Sequence, residues 1–366
     1  MTESEERLWT YEAVEVGQRG VPSVASITAP DIAEFARVSQ NPDPYYAVEG
    51  APAMPTMLMT YAPLFRDQIA ANNGFTAFEV SQTKRRQTPF TKCECRWFEP
   101  VWAGDEITSE RWVHEKYERR GSRFVVFRVS ATNQRGLRVG EYDYTCIFDY
   151  GLGQRSDAKA PRPAAQETAQ PTGLERLRAV GPGEALVPLT VTETQESMDA
   201  KDAFRLFGER TVGSNIHTDE EFARSNIFGT TVNSGPATMA YVDQMLQRSF
   251  HPETLMHGGR LLMRAITPFR AHDVVTLTGQ IDSRQGQGVR CSVRGTNQAG
   301  GLVCIAEADL QRVLQRTLGL RNSDSHEMMA GVVGADREGR RRGDRVGGCV
   351  RRGARSTRGD ASGRRG

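Results

Sequence analysis

The feature that most constrains this chain is an internal repeat. Three segments of the first half match segments of the second half in the same order, at offsets of 168, 164 and 171 residues. They are residues 100–107 with 268–275, residues 132–136 with 296–300, and residues 39–46 with 210–217. Each match alone is only a turn signal, but a fixed order and spacing indicate duplication of one domain. The 366 residues are enough for two such domains.

Each half is predicted to contain a helix with a loop, then a long amphipathic helix, then several strands. In the second half the long helix is expected over 232–250, because Met239, Val242, Leu246 and Phe250 recur at helical spacing. That stripe is typical of a core-facing helix. Runs of strand character, bounded by turn residues, predict an antiparallel sheet. They cover 123–132 and 140–148 in the first half, and 260–266, 274–281, 288–297 and 302–313 in the second. The pattern predicts the α+β class.

Composition sets the predicted boundaries. We expect one domain over 8–150, a linker rich in Ala, Pro, Gln and Thr over 151–182, and a second domain over 183–318. Residues 321–366 are rich in Arg and Gly and contain no aromatic residue, which predicts a disordered tail. An RNA-binding arm is the alternative, although such arms usually carry aromatic residues for stacking.

The net charge does not favour a nucleic-acid partner. The whole chain carries a formal charge of +2, and its last 46 residues contain 12 Arg against 6 acidic residues, or +6. The remaining residues therefore carry 2 − 6 = −4. A mildly acidic folded part has no broad basic face to bind phosphates. The compact basic cluster at 84–86 is either a solvated surface cluster or a contact for the phosphates of coenzyme A.

The motif that carries chemistry lies in the second half. Residues 213–223 read GSNIHTDEEFA, and residues 228–235 read FGTTVNSG. This stretch resembles the signature of the MaoC-like (R)-specific enoyl-CoA hydratases, with His217 in the histidine place and Gly235 at the start of the long helix. The resemblance implies two tandem hot-dog domains, each a curved antiparallel sheet wrapped round a helix. It covers about residues 8–318.

The first half carries a degenerate copy of the same motif. Residues 40–46, QNPDPYY, resemble the corresponding segment of the dehydratase domain of type I fatty-acid synthases, and residues 51–56, APAMPT, resemble its following turn. Asn41 and Tyr46 replace the aspartate and histidine of the family. We therefore expect the first half to be catalytically silent and to help shape an acyl pocket.

The resemblance implies hydratase or dehydratase activity on an enoyl or 3-hydroxyacyl thioester of coenzyme A or a carrier protein. A histidine titrating near neutral pH can move the protons of such a reaction. The backbone N–H of Gly235, at the amino end of the long helix, would stabilise the enolate oxygen. We expect His217 to be the acid and base, with Asn215 orienting it or a water molecule, and Ser234 donating a hydrogen bond.

One departure from the family matters. The family aspartate, five positions before the histidine, falls on Val212 or on Gly213 here, so that carboxylate is missing. Glu209, Asp219 and Glu220 are possible replacements. Asp219 is otherwise expected to cap a helix. Val212 and Asp219, with Gly235, are predicted to contact the substrate.

Two other functions stay open. A hot-dog thioesterase would need a carboxylate on the long helix, where Asp243 is the candidate. A protein that binds acyl groups without catalysis is also compatible with the missing aspartate.

No cofactor or metal is implied, because no cysteine pair or histidine has metal-ligand spacing. The chain has no apolar run of about 18 residues and no signal-like start, and its six cysteines are expected to be reduced thiols. These features predict a cytoplasmic protein without a membrane partner. A chain with two hot-dog copies imitates a homodimer, and further dimerisation is a possibility.

Overall fold

The computed structural model describes residues 6–151, 181–208, 215–286 and 288–311. The predicted tail lies outside these residues, as does most of the predicted linker. The strands are β1 Ser23–Ser26, β2 Phe90–Trp97, β3 Glu106–Arg119, β4 Ser122–Asn133, β5 Arg138–Asp149, β6 Leu189–Thr192, β7 Arg260–Ala265, β8 Val274–Gln285, β9 Gly288–Asn297 and β10 Leu302–Leu310. The α-helices are α1 Ala29–Val38, α2 Leu58–Tyr61, α3 Arg66–Asn72, α4 Gln195–Ala203, α5 Glu220–Ser225, α6 Gly235–Gln247 and α7 Glu253–Met256. Short 3₁₀ turns cover Pro44–Ala47 and Pro55–Met57.

The described strands form one antiparallel sheet in the order β1-β3-β4-β5-β2-β7-β10-β9-β8-β6. Each half contributes five neighbouring strands, and β2 joins β7 at the centre. There Glu94 pairs with Leu262, the residue 168 positions later in the chain. Because 168 is also an offset of the sequence repeat, Leu262 is the repeat equivalent of Glu94. The two halves are therefore related by a local twofold axis that passes between these strands.

The α+β class and the duplication predicted from the sequence are confirmed by this architecture. The strand predicted at 288–297 has those bounds, and the others agree within a few residues at the ends that are described. The predicted domain boundaries themselves stay a prediction, since both halves belong to one compact unit.

The long helix of the second half is shorter than the sequence predicted. Helix α6 begins at Gly235 rather than at residue 232, because the Ser234 side chain caps it and Pro236 occupies its first turn. Met239, Val242 and Leu246 are buried as expected. Phe250 lies beyond the helix and is partly buried.

The prediction of a long helix in the first half was wrong. A 3₁₀ turn and the four residues of α2 are followed by a break at Pro63, and α3 starts only after Phe65, whose φ is 43°. Proline removes a helical N–H and disfavours the helical conformation of the preceding residue, here Ala62. Ala62 accordingly has φ −127° and ψ 68°. Helix α6 therefore has no helix of equal length opposite it in the first half.

Helix α6 is buried over residues 238–247, including its polar side chains. Four of these side chains form hydrogen bonds to the first half. The pairs are Tyr241 with Gln40, Asp243 with Thr56, Gln244 with the carbonyl of Ser39, and Gln247 with Tyr46, at 2.7 to 3.1 Å. We call these four pairs the polar seam. Since unpaired buried polar groups are costly, the seam fixes how the helix faces the first half.

Asp243 gives this seam a pH dependence. Its side chain is fully buried, and burial raises the pKa of its carboxyl group to about 7 despite hydrogen bonds from Thr56 and Gln247. The folded protein therefore holds this proton over a pH range in which the unfolded chain has lost it. That contribution to stability is complete below the ordinary pKa of 3.8 and is lost as the pH rises through about 7.

We expect Asp243→Asn, which keeps the side-chain volume and removes the ionisation, to flatten the dependence of stability on pH. The free energy of unfolding of the parent protein should fall relative to that of the variant between about pH 4 and pH 7, the window set by the pKa values of 3.8 and about 7. Urea unfolding at several pH values measures this difference. Parallel curves for the two proteins would contradict the assignment.

Candidate active site around His217

A cavity of about 300 Å³ lies between residues of both halves. The second half contributes its polar wall, and the first half contributes a mainly apolar wall. The polar wall includes Lys201, Asp202, Arg205, His217, Asn233 and Ser234, and the first-half wall consists of Met59, Thr60, Pro63, Phe65 and Tyr144. The broken helix of the first half supplies four of those five residues. Phe204, Leu206 and Phe207 add apolar surface after α4.

His217 is half-buried at this cavity, and its ring is held by the backbone. Its Nδ1 lies 2.7 Å from the carbonyl oxygen of Val232. Because a carbonyl can only accept, Nδ1 carries the hydrogen, and Nε2 is the basic nitrogen of the neutral ring. The backbone N–H of His217 donates to Oδ1 of Asn215 at 2.7 Å. These two bonds therefore fix the tautomer and the direction of the ring. We call residues 215–218 the histidine loop.

Helix α4 holds the same loop from the other side. The Gln195 side chain donates to the carbonyl oxygen of His217 at 2.9 Å and accepts from Thr231 at 2.7 Å. Nδ2 of Asn215 donates to Thr218 at 3.0 Å and lies 3.5 Å from a carboxylate oxygen of Asp202. Asn215 thus sits between the histidine loop and a carboxylate on the wall of the cavity. Asp202 also forms an ion pair with Arg205, at 3.1 Å.

The amino end of α6 meets the cavity at Ser234 and Pro236. The Ser234 hydroxyl accepts from the N–H of Ala237 at 3.2 Å, and Pro236 has no N–H to offer. Within the described part of the chain, the N–H of Gly235 has no hydrogen-bond acceptor. An amide without an acceptor at a helix amino end favours a negatively charged oxygen. The observed role of the Ser234 hydroxyl is therefore to cap α6, whereas its predicted role was to donate a hydrogen bond in the site.

Gly235 is required by its contact with the first half. A Cβ at this position would lie 2.4 to 2.7 Å from three ring atoms of Phe90, on strand β2. From the sequence, this glycine is expected to give its backbone access to a ligand. The structure adds a packing reason, because only glycine lets the aromatic ring lie against the start of α6.

A buried ion pair involves one residue of the polar wall, Lys201. Lys201 donates to both carboxylate oxygens of the fully buried Glu193, at 2.8 and 2.9 Å. The hydroxyl of Tyr241 donates to the same carboxylate at 2.9 Å and contacts Lys201, and Gln40 of the first half donates to this hydroxyl. Burial lowers the pKa of the Lys201 amino group. The pair is satisfied internally, so we assign it to holding α4 against α6.

Several predicted residues lie elsewhere. Asp219 caps α5 by accepting from the N–H of Phe222 at 2.9 Å, and it does not line the cavity. Glu220 is exposed and pairs with Arg224. Val212 and Glu209 lie outside the described residues. The structure instead brings the carboxylate of Asp202 to the cavity, a residue that no sequence pattern indicated as a site residue.

The basic cluster at 84–86 is engaged with the protein at two of its three positions. The guanidinium of Arg85 lies over the ring of Phe222, and that of Arg86 lies over the ring of Phe78 and pairs with Asp149. These contacts favour the structural interpretation of the cluster. Among the described residues no group of three acidic, histidine or cysteine side chains could hold a metal ion. None of the described helices combines the length and apolar character needed to cross a bilayer.

The contact between Gly235 and Phe90 can be tested by overpacking it. We expect Gly235→Ala to lower the free energy of unfolding by about 1–3 kcal/mol, because the new methyl group would overlap the ring. Phe90→Ala removes all three overlapping ring atoms, so Gly235→Ala should cost much less in a Phe90→Ala background than in the parent protein. Thermal or urea unfolding measures both effects.

Gly181→Ala is the matched control, because a Cβ there would have no atom within 4 Å. Equal stability of the Gly235→Ala and Gly181→Ala variants, or an undiminished cost of Gly235→Ala in the Phe90→Ala background, would show that the ring does not exclude a side chain at this position.

Comparison with known proteins gives three kinds of result. Residues 15–142 match the family model described as FAS1-like, dehydratase domain region. No curated protein sequence matches the chain. Among solved structures, a MaoC-like dehydratase aligns with a TM-score of 0.59 at 15% identity, covering 81% of this chain and 98% of its own.

Two further structures agree with this result. A putative MaoC domain protein dehydratase from Chloroflexus aurantiacus aligns with a TM-score of 0.55 at 13% identity, covering 85% of this chain and 100% of its own. A Mycobacterium tuberculosis protein described as having a double hot-dog fold aligns with a TM-score of 0.51 at 13% identity, covering 82% and 98%. The chain is therefore a double hot-dog protein with the fold of the MaoC-like dehydratases, and its first half matches the FAS1-like dehydratase region.

Proposed function

We propose that the protein is a lyase that hydrates an enoyl thioester or dehydrates a 3-hydroxyacyl thioester. The observation that carries the proposal is the cavity in which the His217 ring and the amino end of α6 meet. An imidazole and a helix amide without an acceptor are the two groups this reaction needs. The match of residues 15–142 to a dehydratase region supports the same class of reaction.

The chemistry requires one base and one oxyanion site. In hydration, Nε2 of His217 removes a proton from the water whose oxygen forms a bond to Cβ. The electron pair of the double bond moves towards the thioester carbonyl, whose oxygen becomes an enolate oxygen beside the N–H of Gly235. The imidazolium then returns the proton to Cα. Dehydration follows the same steps in reverse, so atoms and charge balance without a cofactor in this scheme.

Asp202 is the residue that we assign to the place of the missing family aspartate. Its carboxylate lines the cavity with His217, and Asn215 contacts both residues. A carboxylate there can accept one hydrogen of the attacking water while the imidazole accepts the other. This orients the water towards Cβ and stabilises the imidazolium. Asn215 then acts on the position of both groups.

The apolar wall from the first half suits the acyl chain. Met59, Pro63 and Phe65 face the same cavity as the polar wall. An acyl chain that packs against them would leave its thioester end near the start of α6. The carrier, either coenzyme A or a carrier protein, would then extend out of the cavity. Further dimerisation and a cytoplasmic location remain predictions from the sequence.

The thioesterase alternative is less well supported. It needs a carboxylate on the long helix beside the substrate, and Asp243 was the candidate. Asp243 is fully buried, bonded to Thr56 and Gln247, and does not line the cavity. A binding protein without activity is distinguished from the lyase by assay.

We expect the protein to hydrate crotonyl-CoA or the crotonyl thioester of a carrier protein. The reaction is measured by the loss of absorbance of the conjugated thioester. His217→Ala should lower kcat/KM by about 10²–10⁴-fold, the usual contribution of a general acid and base. His114→Ala, a histidine on β3 that does not line the cavity, is the matched control and should leave turnover unchanged. Full activity in His217→Ala would refute the site.

The same assay separates the roles on the polar wall. Asp202→Asn keeps the shape of the side chain but removes its charge, and we expect roughly a 10²-fold loss of kcat with a smaller change in KM. Release of free coenzyme A, followed with a thiol reagent, reports thioesterase activity. Thiol release without hydration would favour the thioesterase, and tight binding of crotonyl-CoA with neither reaction would favour the binding protein.

A further inference from the structure

Most polar side chains on the cavity wall already have protein partners. His217 bonds to Val232, Ser234 caps α6, Asp202 pairs with Arg205, and Lys201 pairs with Glu193. The Tyr144 hydroxyl differs from these groups. It lines the cavity, and within the described part of the chain it has no hydrogen-bond partner. Thr60 is the other hydroxyl that the first half brings to the wall.

Tyr144 is connected to the amino end of α6 through one aromatic ring. It lies on strand β5, and its ring centroid is 5.0 Å from that of Phe90. The Phe90 ring in turn packs against Gly235. Tyr144 therefore faces the cavity beside the helix end where the thioester oxygen is expected. Thr60 lies on α2, in the broken helix of the first half, and has no such connection.

The Tyr144 hydroxyl is available as a hydrogen-bond donor at the cavity. Tyr144 is partly buried, and its hydroxyl oxygen is not sealed off from the cavity. Burial also raises the pKa of Tyr144, so the group keeps its hydrogen at neutral pH. The side chain is thus a permanent donor on the cavity wall, and it lacks an acceptor from the protein.

We propose that the Tyr144 hydroxyl donates a hydrogen bond to the carbonyl oxygen of the bound acyl thioester. This inference rests on the function proposed above. Tyr144 and the N–H of Gly235 would then be two donors to one oxygen, one from each half of the duplicated chain. The first half would thereby complete the oxyanion site, although it lacks a histidine of its own at the motif.

The hydroxyl transfers no proton in this scheme. As the water oxygen bonds to Cβ, negative charge grows on the thioester oxygen, and the hydrogen bond from Tyr144 strengthens with it. Donors placed where charge develops lower the barrier more than they tighten the binding of the ground state. The loss of the hydroxyl should therefore appear mainly in kcat.

Tyr144→Phe tests the donor in turnover. We expect kcat for crotonyl-CoA to fall by roughly 10²-fold, with KM changed little and the melting temperature unchanged or higher, since no protein hydrogen bond is lost. Tyr45→Phe is the control. It removes a first-half hydroxyl that bonds to Glu253 outside the cavity, so turnover should not change. A fall in Thr60→Val with none in Tyr144→Phe would assign the donor to Thr60 and overturn the proposal.

Binding tests the same contact without catalysis. Butyryl-CoA has the thioester carbonyl, and S-butyl-CoA replaces that carbonyl with a methylene. We expect the parent protein to prefer butyryl-CoA, and Tyr144→Phe to reduce this preference by roughly tenfold in calorimetric titration. An unchanged preference overturns the role of Tyr144, even if the parent hydrates crotonyl-CoA. Reduced preference in a protein without turnover supports the contact and refutes only the lyase. Failure of the parent protein to bind either ligand or turn over crotonyl-CoA refutes both proposals.

Discussion

The burial of α6 is the constraint on which the rest of the structure depends. A helix buried on all sides usually carries apolar residues only, but α6 also carries Tyr241, Asp243, Gln244 and Gln247. Each of these side chains forms a hydrogen bond to the first half through the polar seam. Each half therefore needs the other, because separation would expose the apolar face of α6 to water and break the hydrogen bonds of the polar seam. The start of the same helix contacts the first half where Gly235 packs against the ring of Phe90.

The two halves differ at the start of their equivalent helices despite their common plan. The backbone N–H of Ala53 donates to the carbonyl oxygen of Val101 at 2.7 Å. In the equivalent place of the second half, the N–H of Asn233 donates to the carbonyl oxygen of Phe269 at 2.6 Å. By this equivalence Pro55 occupies the position of Gly235. Proline has no N–H, so the first half has no donor where the second half has its amide without an acceptor. Tyr46, in the histidine place, is bound to the seam instead. The silent first motif stays a prediction, and the missing donor at Pro55 is consistent with it.

The sequence predicted the class, the repeat and six of the ten described strands, β4, β5 and β7 to β10, because these depend on local patterns and on spacing. The prediction of a long helix failed in the first half, because Pro63 interrupts the amphipathic stretch that indicates it. The cavity residues on α4 could not be found in this way. Asp202 and Lys201 precede the motif in the chain and look like surface charges of a polar helix, and only the packing of α4 against the histidine loop brings them to the cavity. Tyr144 alternates in a strand like any other aromatic residue, so no pattern distinguishes its hydroxyl.

A duplicated fold need not keep two sites in order to use both halves. An oxyanion needs donors from more than one direction, and a single helix end with Pro236 in its first turn and Ser234 as its cap offers one free amide. A second donor must then come from a surface that faces the helix end. Strands β2 and β5 of the first half are that surface, because Phe90 and Tyr144 lie on them side by side. The same packing that forbids a side chain at Gly235 thus brings a phenol to the cavity, which is why we consider the loss of the first motif compatible with an active protein.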